Sequence, residues 1–252
     1  MRLAQLYRYP VKGLSPEPLR AADLQTDGYF PCDRLFALEN GPSGFDAAAP
    51  QHQPKINFLM LMRNGALAGL ATRYDEDSGT LAISQGGREV VRANLRTPGG
   101  RAAIEAFLSA YVDEAEIRGQ VKLLEAPDGF RFTDSKSGFV SLINLASVAE
   151  IEKAQGKRVD PLRFRGNLYI EGAEAWAEAA WPGRTLQIGD ATLSVLKMTD
   201  RCAATGVEPG TGRRDMDVVQ TLRKNFGHVD CGVYARVVKG GRVAIGDALT
   251  LI

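Results

Sequence analysis

The residue best placed to do chemistry is Cys202. It ends an apolar run from Ala191 to Met198 and opens a loop rich in Thr, Gly and Arg that continues to Asp215. Cations at Arg201 and Lys197 would lower a thiol pKa and favour the thiolate, the form that attacks electrophiles or binds a soft metal. An isolated cysteine is more often a small buried hydrophobe, but the charged loop around Cys202 favours the reactive reading. The other two cysteines, Cys32 and Cys231, are far away in sequence. Three cysteines, odd in number and widely spaced, do not make a secreted disulfide framework, and a reducing cytoplasm is expected. Cys231 is read as a partly buried residue of a strand over Val229 to Val238, and Cys32 as packing at a strand entrance; a Cys202–Cys231 thiol switch is the less favoured alternative.

Other chemistries lack their residues. The chain has no Gly-x-Ser-x-Gly elbow, no Gly-x-Gly-x-x-Gly, no Gly-x-x-x-x-Gly-Lys and no His-Glu-x-x-His, which weakens hydrolase, kinase and dehydrogenase readings. Its two histidines, His52 and His228, lie in polar, turn-rich surroundings and are expected to be solvent-exposed. There is no Cys-x-x-Cys or His-x-x-x-His pair, so neither a structural zinc site nor an iron–sulfur cluster is expected. Thirty-one Lys and Arg against 30 Asp and Glu give a net charge of +1, so no general basic field draws the chain to nucleic acid or an anionic membrane. No apolar run approaches the length of a membrane span.

The elements that must position Cys202 read as β-rich α+β. Strands are predicted over Arg2 to Arg8, Leu19 to Leu24, Arg34 to Glu39, Asn57 to Arg63, Leu67 to Tyr74, Thr80 to Ser84 and Glu89 to Ala93, spaced as in a barrel or sandwich. The segment Arg101 to Val112 places Ala103, Ile104, Phe107, Leu108 and Tyr111 on one helical face. It divides the chain into an N-terminal unit, residues 1–112, and a second unit, residues 113–252, that pack closely. Asn144 and Asp217 stand as N-caps before helices over Leu145 to Gln155 and Val218 to Asn225. Gly189-Asp190 and Gly246-Asp247 interrupt two similar β runs and predict hairpin corners.

Beyond this bottom-up reading, the sequence resembles the MOSC proteins, a family named for the C-terminal domain of molybdenum cofactor sulfurases. In the first half the likeness rests on Leu6-Tyr7-Arg8-Tyr9-Pro10-Val11-Lys12-Gly13 and on Gly28 through Asp33-Arg34-Leu35-Phe36-Ala37-Leu38. In the second it rests on Phe132-Thr133-Asp134, Arg163-Phe164-Arg165-Gly166-Asn167-Leu168, Ile188-Gly189-Asp190 and Arg201-Cys202 with Thr205, Val207, Pro209, Thr211 and Gly212. The resemblance implies an N-terminal β-barrel-like unit packed against a MOSC β-barrel with a few helices. It implies a molybdenum–pterin cofactor whose only protein ligand is Cys202, with Lys12 and Arg34 on the phosphate side. Arg165 and Asn167 match an Arg-x-Asn element, Asp134, Ser137 and Asn144 match the segment lining the pterin, and Arg201 stands beside the metal ligand. Each has a plainer role open to it: a surface ion pair, a solvated turn lysine, a helix cap.

In the amidoxime-reducing branch, the resemblance implies reduction of small N-hydroxylated or N-oxide substrates. Gly13 and Gly166 depart from the serine and proline common there, and Pro50 to Lys55 lacks that branch's usual phrase. Bacterial relatives carry a fused 2Fe-2S ferredoxin domain that this sequence does not contain, so electrons are expected from a separate ferredoxin- or flavin-type protein. A different class of function is a sulfur carrier, with Cys202 bearing a persulfide for the molybdenum cofactor or another acceptor.

Overall fold

The computed structural model describes residues 1–252. Fifteen strands and three α-helices follow one another as β1 (Arg2–Arg8), β2 (Glu17–Leu19), β3 (Ala21–Leu24), β4 (Phe36–Asn40), β5 (Leu70–Asp75), β6 (Thr80–Gln85), β7 (Arg88–Asn94), α1 (Pro98–Tyr111), β8 (Val121–Glu125), β9 (Val140–Asn144), α2 (Leu145–Gln155), β10 (Leu168–Glu171), β11 (Thr185–Ile188), β12 (Ala191–Asp200), α3 (Val218–Phe226), β13 (Asp230–Lys239), β14 (Gly241–Ala244) and β15 (Leu249–Leu251). The predicted β-rich α+β class is what the chain adopts.

The largest sheet has eight strands in the order β15-β11-β12-β13-β9-β10-β1-β2. Its pairs are antiparallel except β9 and β10, whose parallel alignment requires a crossover, and α2 supplies it. Leu3, Leu6, Leu142, Leu168, Leu193, Val195, Val233 and Val237 fill this sheet's core, with Phe30 and Val243 from the flanking segments. Helices α2 and α3 pack outside it over Ile143, Val148, Ile151, Val218, Leu222 and Cys231. A second core lies under the sheet β5-β6-β7, the pair β4-β8 and α1, through Val11, Leu38, Leu59, Leu70, Leu81, Ile104 and Leu108. Along β5 the buried positions alternate as Leu70, Thr72 and Tyr74, as one covered sheet face demands.

The hydrogen bonding interleaves the two stretches expected to divide at residue 112. β1 and β2 belong to the eight-stranded sheet, β3 pairs with β14, and β8 returns to pair with β4. The chain therefore builds two cores that share strands across the expected boundary.

Several local expectations are corrected. Asn57 to Arg63 is not a strand. Asn64 closes that segment into a turn, its Oδ1 accepting from the Met60 amide at 2.9 Å while its own amide donates to the Met60 carbonyl at 2.8 Å. Phe58, Leu59, Met60 and Leu61 of that run are buried all the same. Leu67 falls in a 3₁₀ turn over Gly65–Gly69, and the strand begins at Leu70. Helix α1 starts three residues before the predicted Arg101: Pro98 takes its first position, and the Thr97 side chain accepts from the Gly100 amide, an N-terminal signature. Cys231 is fully rather than partly buried. The histidines are half-buried rather than exposed: His52 Nε2 lies 2.7 Å from the Thr133 carbonyl oxygen, and His228 stacks edge-on to Trp176. Helices α2 and α3, with their Asn144 and Asp217 caps, and the two Gly-Asp corners form as expected. No helix is long and apolar enough to cross a membrane.

Candidate functional site: a cation-lined cavity beside a free thiol

Strand β12 runs ten residues and ends at Asp200, delivering Arg201 and Cys202 to a 3₁₀ turn over Ala203–Gly206. Thr205 fixes this turn, its amide and hydroxyl both donating to the Cys202 carbonyl at 3.1 and 2.9 Å. The thiol is free, half-buried, and in the wall of a cavity between the two cores. Lys12, Arg34, Asp134, Arg165, Asn167 and Arg201 line the same cavity. Seven of the nine residues singled out from the sequence thus converge.

The remaining two do not. Asn144 is completely buried away from the cavity: its Oδ1 caps α2 at the Ala146 amide, and its Nδ2 donates to Glu174 O and Glu178 Oε2, each at 2.8 Å. Its role is to hold a carboxylate that the fold has taken out of water. Ser137 also stands off the cavity wall, which takes Ser135 and Gly138 from that segment instead. Lys197 faces Tyr234, its Nζ 5.9 Å from the ring centroid.

Each cation is held from behind. Lys12 is buried; its Nζ donates to the Phe132 carbonyl at 3.0 Å and pairs with the half-exposed Asp134. Burial lowers the Lys12 pKa in spite of that partner. Burial acts to raise the Asp134 pKa, but Lys12 outweighs it and holds the carboxyl down at about 2. Gly13, at φ +83°, turns the chain immediately after Lys12, and a Cβ there would stand 2.9 Å from the Leu59 carbonyl oxygen. A serine at this position would be strained and crowded, which accounts for the glycine.

Arg34 and Arg165 share one support. Their guanidinium carbons lie 4.5 and 4.3 Å from the centroid of the Tyr9 ring, and Arg34 Nη2 donates to the Arg165 carbonyl at 3.0 Å. Arg165 Nη1 donates to the Leu14 carbonyl at 2.8 Å. Asp33, itself buried, pairs with Arg34 through one carboxylate oxygen and accepts from the Tyr9 amide at 2.7 Å through the other. Burial opposes the charge on Arg34, but Asp33 overrides it and the Arg34 pKa is raised. Arg165 has no carboxylate of its own; burial, with Arg34 next to it, lowers its pKa to about 10. Arg201 is tied to backbone carbonyls, Nε to Cys231 O and Nη1 to Phe164 O, both at 2.8 Å. Asn167 braces the wall, its Oδ1 accepting from the amide and the hydroxyl of Ser141 at 3.0 Å each.

The sequence reading missed Tyr9, Asp33, Arg163 and Thr199 as site residues. Arg163 and Thr199 line the cavity, and Arg163 Nε and Thr199 Oγ1 are buried with no hydrogen-bond partner. Buried polar atoms without partners are uncommon and costly, and these two lie where a polar ligand would be able to bond to them. The donor set fits a phosphorylated, metal-carrying cofactor. Fixed cations suit a phosphate, and the single thiol suits one coordination position of a soft metal. No cluster of three or more His, Cys, Asp or Glu side chains is available to hold a bare ion, so a metal would have to bring its other donor atoms with it.

Comparison with known proteins shows the family. Residues 1–118 match the MOSC N-terminal beta barrel domain and residues 130–250 match the MOSC domain. The chain belongs to the MOSC family. It is 24% identical to human mitochondrial amidoxime-reducing component 1 over 284 aligned positions, covering 99% of this chain and 82% of that one. It is 29% identical to rat mitochondrial amidoxime reducing component 2 over 120 residues, 43% of this chain and 35% of that one. A shorter likeness, 29% over 135 residues, relates half of this MOSC chain to 18% of the molybdenum cofactor sulfurase of Caenorhabditis elegans. Among solved structures, the YUAD protein from Bacillus subtilis superposes with a TM-score of 0.47 at 13% identity, covering 99% of this chain and 94% of that one.

Proposed function

We propose that this MOSC protein binds a molybdenum–pterin cofactor in the cation-lined cavity and reduces small N-hydroxylated or N-oxide compounds. The observation that carries the reading is that the Cys202 thiol lines the same cavity as Lys12, Arg34 and Arg165. The name of the human relative that aligns over 99% of this chain supports it. Cys202 would be the metal's protein ligand, Lys12, Arg34 and Arg165 would hold the phosphate, and Asn167, Thr199 and Arg201 would complete the walls. When bound, the cofactor supplies a two-electron redox couple and an open coordination position for removing oxygen from an N–O bond. The chain's contribution is positional. Thr205 fixes the backbone of Cys202, the carbonyls behind Arg165 and Arg201 fix the cations before any ligand arrives, and the two cores exclude water from the cavity's sides. Electrons come from a separate ferredoxin- or flavin-type protein, and the reaction runs in the cytoplasm.

The test is metal analysis after expression in a host that makes the cofactor. Wild-type protein is expected to hold about one molybdenum per chain and to reduce benzamidoxime, and Cys202→Ala to lose both. A Cys202→Ala protein with stoichiometric molybdenum and full reduction overturns the proposal.

The likeness to a sulfurase, together with the partial exposure of Cys202, favours one second reading, a persulfide carrier. Intact mass spectrometry separates the two. An adduct of about 32 Da on Cys202 without retained molybdenum selects the carrier.

A further inference from the structure

Arg34 and Arg165 present an electrostatic problem that the fold solves with an aromatic ring. Two guanidiniums sit in one cavity wall with a single carboxylate, Asp33, in direct contact with either of them, and that carboxylate goes to Arg34. Like charges at short range in a poorly solvated wall repel, and each residue also adopts a left-handed backbone conformation, with φ of 48° and 52°. The hydrogen bonds to the Arg165 and Leu14 carbonyls, at 3.0 and 2.8 Å, tie each guanidinium to backbone but not to the other guanidinium. What they share is Tyr9, which is fully buried, lines no part of the cavity, and lies within 4.5 Å of both guanidinium carbons.

We infer that Tyr9 is a positioning residue for the anion seat: its ring holds Arg34 and Arg165 side by side, ready to share one phosphoryl group.

Three further observations support this. The ring's place is fixed at both ends, by the Tyr9 amide on Asp33 Oδ1 at 2.7 Å and by its hydroxyl 3.4 Å from that of Tyr169. The ring is linked to Arg34 a second time, since the Asp33 carboxylate that accepts from the Tyr9 amide also pairs with that guanidinium. Burial first, and then the neighbouring Arg34, lowers the Arg165 pKa, so this guanidinium is both poorly solvated and beside a like charge. Cation–π attraction strengthens as both partners are desolvated, so a buried tyrosine is suited to this task. The inference uses only the anion-binding part of the proposed function and does not depend on a metal.

The experiment titrates the metal-free protein with inorganic phosphate by calorimetry, comparing the wild type with Tyr9→Phe, Tyr9→Leu and a variant carrying 3,4,5-trifluorophenylalanine at position 9. Phenylalanine keeps the ring and is expected to bind within about twofold of the wild type. Leucine is expected to weaken binding about tenfold, or about 1.4 kcal/mol. The trifluorinated ring keeps the shape but loses its negative face. It is expected to bind several-fold more weakly than Tyr9→Phe, and it decides the matter even if Tyr9→Leu fails to fold. Leu186→Ala, buried in the other core, is the control for general destabilisation and should leave phosphate affinity unchanged. Equal affinity of the trifluorinated and Tyr9→Phe proteins overturns the inference, as does an equal loss in Tyr9→Phe and Tyr9→Leu, which would assign the effect to the hydroxyl. If the wild type binds no phosphate, the seat itself is refuted along with the proposed cofactor site. If it binds phosphate and only the ring variants behave alike, the Tyr9 assignment falls and the proposed function stands.

Discussion

Asp134 and Arg165 give the cavity two separate pH signatures. The Asp134 carboxyl, held down to about 2, has an unfolded value of about 3.9. Its pairing therefore stabilises the folded state fully above the unfolded value and is lost as pH falls through the folded one. We expect wild-type protein to melt slightly above Asp134→Asn at pH 6 and the gap to close by about pH 2; the effect is small because the carboxylate is half exposed. Arg165 acts at the other end. With its pKa lowered to about 10, phosphate affinity measured by calorimetry should decline as pH approaches 10, where a surface arginine would still be fully charged, and buried Lys12, also lowered, adds to the fall. At this scale Cys202, Lys12, Arg34 and Arg165 were legible because they stand in phrases with a characteristic order. Tyr9 lay inside one such phrase without a visible task, since its task exists only where residues 9, 34 and 165 meet. Thr199 gave no signal, because an unpartnered hydroxyl is a property of the folded interior.

Elements carry the second set of expectations. Asn144 both caps α2 and feeds the buried Glu178, so Asn144→Ala should cost about 2–4 kcal/mol in urea unfolding, the cap and the abandoned carboxylate together. The folded fraction should still load molybdenum, a result that separates this residue from the cavity walls. In β13, Gly232 adopts φ +81° beside Cys231, and a Cβ there would meet the Leu142 carbonyl oxygen and approach Arg201 Nη2 at 3.2 Å. Gly232→Ala should therefore lower the melting temperature and weaken phosphate binding in the same variant, through displacement of Arg201. The helical elements were largely legible, because caps and 3.6-residue spacing are local. The stretch Asn57 to Arg63 was not. Its apolar residues satisfied a strand pattern, but one side-chain amide, that of Asn64, closed the backbone on itself.

At the scale of the molecule, strand exchange makes the two cores interdependent. β1, β2 and β3 lie in the first 24 residues yet complete sheets built by the second half. A fragment over residues 119–252 should therefore lack stable tertiary structure by near-ultraviolet circular dichroism and proteolysis, whereas the whole chain should unfold in one cooperative transition. The sequence suggested a division at residue 112 but not the strand exchange across it, because pairing between residues some 160 positions apart leaves no local trace. The same exchange bears on the order of events in the cell. The phosphate seat needs residues 12, 34 and 165 together, and the thiol comes later still, at 202. No nascent chain can present this cavity until the residues through Tyr234 have left the ribosome and folded, so a cofactor would be loaded late, into a receptacle whose side chains are already tied to the backbone behind them.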